Sequence, residues 1–323
     1  MATFTFTLDF ERPIIELEQK IQELKNLNGS KAKGVDMGHE IQLLEGKVAQ
    51  MRKQVYDNLT PWQRVQMVRH PKRPYTLDYV GKCMTDFVEL HGDRLFADDK
   101  ALIGGFAKID GIPVMIIGHQ KGKDTKENLF RNFGSAHPEG YRKAIRLMQM
   151  ADKFKLPILC FVDTPGAYPG VGAEERGQSS AIAYNLREMA RFKVPIIVSV
   201  IGEGGSGGAL GIGVGDYVMV MENAYYSVIS PEGCAAILWK DRAKAPDAAT
   251  NLKMTGKDLL ALKIIDEIIP EPFGGAHKDP DAAAANLKAA LLKNLRALQK
   301  MTPDQLVAHR DQKYRNIGLF TEV

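Results

Sequence analysis

Glycine is concentrated at two places in this chain where an apolar run gives way to a polar turn. The first is Asp163-Thr164-Pro165-Gly166-Ala167-Tyr168-Pro169-Gly170-Val171-Gly172-Ala173-Glu174-Glu175-Arg176-Gly177. The second is Gly202-Glu203-Gly204-Gly205-Ser206-Gly207-Gly208-Ala209-Leu210, and residues 202–215 hold eight glycines. Glycine has no Cβ, so an anionic oxygen can come within hydrogen-bond distance of successive backbone N–H groups. Such an oxyanion hole stabilises an enolate or a similar anion without any charged side chain. If a helix starts near Gly207, its first amides are free and add to the effect. A tight turn that only needs glycine is the bland alternative for either loop.

The second loop satisfies two other patterns. Gly202-x-Gly204-x-x-Gly207 is a literal dinucleotide fingerprint, with Glu222 twenty residues on. Its context argues against that use. Gly207 to Gly215 is too short for the helix required, and Gly211, Gly213 and Gly215 weaken helix formation by about 1 kcal/mol each relative to alanine. Gly204-x-Ser206-x-Gly208 is a literal nucleophile elbow, with His277 or His309 downstream as the base. A serine hydrolase using Ser206 is therefore the alternative from another reaction class. Gly118-x-x-x-Gly122-Lys123-Asp124 is one residue short of a phosphate loop and lacks Ser or Thr.

These loops need strands to present them, and the chain supplies three related ones. Ile112 to Ile117, Leu156 to Val162 and Val194 to Val200 are apolar runs, each with a proline near its start. Proline opens a strand where the missing N–H costs least. Amphipathic helices are expected between them, at Tyr141–Phe154 and Ser179–Phe192. A strand–helix unit repeated at this spacing means parallel strands with crossover helices, or a spiral of β-β-α turns. Ligands bind beyond the carboxyl ends of such strands, where both glycine loops lie. Tyr217–Met221 and Tyr225–Ile229 read as further strands.

Residues 1–99 form the expected N-terminal segment. Within it, Ile14, Leu17, Ile21, Leu24 and then Ile41, Leu44, Val48, Met51, Val55 recur at steps of three and four. They predict a helical hairpin over 11–59, joined by the loop at 28–34. Residues 100–323 form the expected core, with C-terminal helices over 279–323. There Leu287, Leu291, Leu295 and Leu298 share a face, and Thr302-Pro303-Asp304 caps the last helix. The alternation at Met1–Leu8 suggests a short strand or docking segment. It has neither a basic start nor a continuous apolar stretch, so it is not read as a secretory signal.

The composition is ordinary for a globular protein. Of 323 residues 45% are hydrophobic, and the net charge is +4, too weak to imply nucleic acid. Lys121, Lys123, Arg131, Arg142 and Arg146 form a basic group between two strands. Cys83, Cys160 and Cys234 contain no C-x-x-C pair, so no zinc site or disulfide framework is encoded. A scattered, odd set fits a reducing cytoplasm. Val194–Gly215 contains Pro195, Glu203 and many glycines and is not a membrane span.

Several longer stretches identify a family. They are Arg73-Pro74-Tyr75-Thr76-Leu77-Asp78-Tyr79, Gly118-His119-Gln120-Lys121-Gly122, Arg131-Asn132-Phe133-Gly134 and Pro138-Glu139-Gly140-Tyr141-Arg142-Lys143-Ala144. They continue through Asp163–Gly177, Val200–Leu210 and Ser230-Pro231-Glu232-Gly233-Cys234. Over essentially its whole length the chain resembles the alpha subunits of bacterial and plastid-type acetyl-coenzyme A carboxylase carboxyltransferases. The resemblance implies an α/β, crotonase-like fold with a spiral β-β-α core. It implies carboxyl transfer from carboxybiotin, held on a biotin carboxyl carrier protein, to acetyl-CoA, giving malonyl-CoA for fatty acid synthesis. It also implies an α2β2 assembly in which the beta subunit binds CoA and carries zinc, with no metal on this chain. It places the use of ATP on a separate biotin carboxylase.

The same resemblance makes the Gly207 and Gly208 amides the oxyanion-stabilising pair. Gly166, Ala167, Gly204, Gly205 and Ser206 fall on the carboxybiotin side. Lys121, Lys123, Arg131 and Arg142 become candidate contacts for CoA phosphates or the carrier protein. No membrane or nucleic-acid partner is expected, and the expected location is the cytoplasm.

Overall fold

The computed structural model describes residues 6–29 and 38–318. The expected strand at Met1–Leu8 falls largely outside these residues, and its described part, 6–8, forms no strand. Most of the expected loop at 28–34 lies outside them too.

The chain opens with the expected hairpin, α1 (Arg12–Gly29) and α2 (Gly38–Asp57). Ile14, Ile21, Ile41 and Val48 bury against one another, flanked by Leu17, Leu24 and Leu44. The two helices thus make a small core of their own. Beyond them come α3 (Pro61–Val68), α4 (Thr76–Cys83), β1 (Thr85–Glu89), β2 (Leu102–Ile109) and β3 (Ile112–His119). Asp110 and Gly111, both at positive φ, turn β2 into β3, the two-residue geometry that matches strand twist. Next are α5 (Thr125–Phe130), α6 (Pro138–Phe154), β4 (Ile158–Thr164), α7 (Val171–Glu175), α8 (Gln178–Met189) and β5 (Ile196–Gly205). The one-turn α9 (Ser206–Leu210) leads to β6 (Tyr217–Met221), β7 (Tyr225–Ser227), α10 (Pro231–Trp239), α11 (Ala245–Asn251), α12 (Gly256–Ala261) and β8 (Glu267–Ile269). α13 (Pro280–Leu298) and α14 (Pro303–Arg315) close the described chain.

The strands form one sheet in the order β1-β2-β3-β4-β5-β6-β8, with β7 paired to the far end of β5. β1, β2 and β3 are antiparallel, while every pairing from β3 onward is parallel. The three proline-started runs are the adjacent strands β3, β4 and β5. Pro157 and Pro195 use only their carbonyls, which accept from Met115 N and Ile158 N. Strands β4 and β5 are buried along their whole length, as the continuous apolar runs require.

α4 and β1 precede residue 100 yet belong to this body. Tyr79, Val80 and Cys83 pack into the main core, and β1 is the edge strand of the sheet. The expected divide at residue 100 therefore runs through the sheet. At the other end, α14 is fastened by Arg310, which grips Asp216 at 2.9 and 2.8 Å and donates to the carbonyls of Met189, Phe192 and Val194. No helix among the described residues is long and apolar enough to cross a membrane.

Candidate active site

Parallel strands β4 and β5 end side by side, so the two glycine loops meet. Thr164 Oγ1 accepts from Gly166 N at 3.1 Å and donates to Gly166 O at 2.9 Å, turning the chain sharply after β4. The backbones then touch. A Cβ on Gly205 would collide with Pro165 O, and one on Gly208 would lie 2.5 Å from Gly166 C and from Ala167 N. Glycine at 205 and 208 is therefore a packing requirement. A Cβ on Gly207 would meet only Ile182 Cδ1, at an ordinary 3.6 Å. Gly204 is held against Tyr225 O, where a Cβ would come within 2.8 Å.

The consequence is chemical. Among the described residues, the amides of Ala167, Gly207 and Gly208 find no acceptor. The last two lie in the first turn of α9, whose amides have no partner inside the helix. Ala167 is only partly buried, as is Gly207. Unpaired amides on two touching loops are available as donors to an anionic oxygen. Beside them a cavity of about 280 Å³ is lined by Ser206, Leu210, Tyr226, Val228, Leu259 and Leu262. Gly204 and Gly205 are buried and shape the loop from behind, while Ser206 faces the cavity.

Ser206 takes a left-handed backbone, φ 53°, as a nucleophile elbow would. The rest of a hydrolase is missing. Neither His277 nor His309 hydrogen-bonds Ser206. His277 stacks on His70 with centroids 3.9 Å apart, and His309 is exposed on α14. Burial, then the neighbouring His70, pushes the His277 pKa down to about 3. The dinucleotide pattern meets a helix of only five residues.

The five basic residues do not form the expected basic group. Lys121, partly buried, lies between Asp163 Oδ1 at 2.7 Å and Glu203 Oε2 at 2.8 Å. Arg142 is engaged by Asp93, Glu139 and the carbonyl of Arg176. Arg131 donates to Lys100 O, and Arg146 to the carbonyls of Gly92 and His91. Lys123 pairs with Asp78 but keeps its side chain 60% exposed.

The residues that sequence reasoning passed over lie behind the loops. Glu203 is buried, which raises a carboxyl pKa, but Lys121 and Arg69 outweigh burial and hold it at about 2. Tyr141 OH donates to Gly208 O at 3.3 Å. Asn185 Nδ2 donates to Tyr141 O and Gly211 O at 3.0 and 2.9 Å. The available signal was an Asp or Glu inside an apolar strand run, which must find a partner when buried.

A family model described as "Acetyl co-enzyme A carboxylase carboxyltransferase-like" matches residues 7–318. The chain is 59% identical over 315 residues to the acetyl-coenzyme A carboxylase carboxyl transferase subunit alpha of Thermus thermophilus, covering 98% of this chain and 99% of that protein. It is 58% identical over 317 residues to the protein of the same name from Geobacter metallireducens, with 98% and 99% covered. Among solved structures, transcarboxylase 12S superposes with a TM-score of 0.55 at 22% identity, over 69% of this chain and 42% of that one. A Pseudomonas malonate decarboxylase hetero-dimer superposes with a TM-score of 0.53 at 19% identity, over 67% and 88%. At these identities the two structures speak for the fold alone, which is crotonase-like.

Proposed function

This chain belongs to the acetyl-coenzyme A carboxylase carboxyltransferase family, and on that premise we propose that its two glycine loops hold the oxygen that becomes negative during carboxyl transfer. The family's reaction is carboxyl transfer to acetyl-CoA, and the full-length match to proteins named subunit alpha makes this chain the alpha component. The observation that carries the site is the trio of unpaired amides at Ala167, Gly207 and Gly208.

Biotin on a carrier protein, when carboxylated, supplies the carboxyl group that is moved. The residues fit such a group. The amides would donate to its carbonyl oxygen, and Leu210, Val228, Leu259 and Leu262 would offer it an apolar wall. Because the amides are preorganised and uncharged, they stabilise charge without reorganising at the moment of reaction. Among the described residues the hydrogen bonds pair no histidine with Ser206 at the loops, which suits a reaction whose own leaving group takes the proton. Gly166, Gly204 and Gly205 set the loop backbones, and Ser206 lines the cavity. Of the five basic residues named from the sequence, Lys123 is the exposed one and the one left among them to meet a phosphate or an acidic carrier.

The name of the relatives speaks of a subunit, so a beta partner completes the enzyme. We place the CoA pocket and the zinc on that partner, in an α2β2 assembly served by the carrier protein and by biotin carboxylase. The test is carboxyl transfer from malonyl-CoA to a free biotin derivative, using this chain alone and then with a beta subunit. Activity only in the mixture is the expected result. Inactivity with a beta subunit that works with another alpha chain would overturn the proposal.

A further inference from the structure

The amides do the chemistry in this reading, yet a set of charges is buried directly behind them. Between the pairs Val162↔Val200 and Thr164↔Gly204, β4 advances two residues while β5 advances four. β5 therefore bulges at the start of its glycine loop, and a bulge re-aims the residues beyond it. Side chains hold the extra backbone. Arg73 donates to Ile201 O from Nε and Nη2, at 3.0 and 2.8 Å. Asp163 Oδ1 accepts from Glu203 N at 2.9 Å, and its carboxylate occupies the space a side chain at Gly202 would need.

Lys121, just past the end of β3, joins the two strands. Its ammonium donates to Asp163 on β4 and to Glu203 on β5, at 2.7 and 2.8 Å. Glu203 also takes Arg69 Nε at 2.8 Å and Tyr225 OH at 2.7 Å, so its carboxylate is fixed from three sides. Ala167 lies four residues beyond Asp163, and Gly207 four beyond Glu203. The bridge thus sits at the common root of the two amide-bearing loops.

We infer that Lys121 is a positioning residue for carboxyl transfer, tying the end of β4 to that of β5 so that the Ala167 amide and those of Gly207 and Gly208 converge. The inference rests on reading those amides as the oxyanion donors. It replaces the sequence expectation of a phosphate or carrier contact, because the Lys121 side chain is only 12% exposed and faces two carboxylates. A buried ion pair is weak evidence for stability, and its clearest use is to specify one arrangement.

The test compares Lys121→Met, Lys121→Arg and the charge-balanced Lys121→Met/Glu203→Gln in the enzyme assembled with its beta subunit. The readouts are kcat and KM for malonyl-CoA, and hydrogen exchange of peptides covering 164–169 and 205–211. Misplacing catalytic groups by an ångström costs about 10²-fold. The expected result is therefore a fall in kcat of about that size with KM unchanged, faster exchange in both loops, and partial rescue by Lys121→Arg. A raised KM with unchanged kcat would mean a substrate contact and overturn the inference. Unchanged kinetics with a lower melting temperature, or failure of both Met-containing variants to assemble, would reduce Lys121 to a purely structural role. Full activity in Gly208→Ala would sink the amide reading itself. An inactive Gly208→Ala beside a fully active Lys121→Met would remove only the positioning role.

Discussion

The Ala167 amide nitrogen lies so close to Gly208 that a β-carbon there would come within 2.5 Å of it. Gly207, one residue earlier, has ordinary space for a β-carbon. Gly208→Ala is therefore expected to push the loops apart and lower kcat by about 10²–10³, the loss typical of a disturbed oxyanion hole. Gly207→Ala keeps its N–H and should stay within a few-fold of the parent. Steady-state kinetics on both assembled variants checks the contrast.

Ser206 has the φ of an elbow but no base. Ser206→Ala should retain activity, and a serine-directed phosphonate should leave the chain unlabelled by mass spectrometry. Because φ is 53° there, Ser206→Gly should relieve about 1–2 kcal/mol of backbone strain, visible as a higher denaturation midpoint. Labelling at Ser206 would revive the hydrolase alternative.

Arg73 and Glu271 form an ion pair with both side chains wholly buried. Arg73→Met would strand the Glu271 charge and release Ile201 O at the β5 bulge. The expected loss is about 3–5 kcal/mol, measurable by chemical denaturation.

Acid should destabilise the fold before its carboxylates titrate. Burial lowers the pKa of His70 to about 4, and burial together with the Lys121 charge lowers that of His119 to about 3. Burial and the neighbouring His70 lower that of His277 to about 3. Between these values and the ordinary 6.5, the unfolded chain binds protons that the folded chain does not. Stability is thus fully present above 6.5 and falls as pH drops below it, by up to about 1.4 kcal/mol per histidine per pH unit. The melting temperature should decline from pH 6.5 to 5, and His70→Phe should flatten the decline.

The apolar runs opened by Pro113, Pro157 and Pro195 made three strands legible, because a strand buried on both faces must be apolar throughout. The leucine face of α13 and the Thr302 cap were legible for equally local reasons. The edge strand β1 was not, since an edge strand needs no apolar run, and β8 is only three residues long. The glycine loops could be located but not sorted. Nothing local distinguishes Gly207, which tolerates a side chain, from Gly208, which touches a loop some 40 residues away.

The sequence by itself determined the family, through its long matching stretches, and also the β-α repeat and the two glycine-rich loops, since local composition and short-range periodicity carry that information. Only the tertiary structure decided what the charges do. Lys121 reads as a contact for a phosphate or the carrier protein until its partners, 42 and 82 residues further on, are brought against it. Whether a charge faces water or a carboxylate depends on which strand ends become neighbours, and that is settled by long-range packing of the sheet rather than by any local pattern.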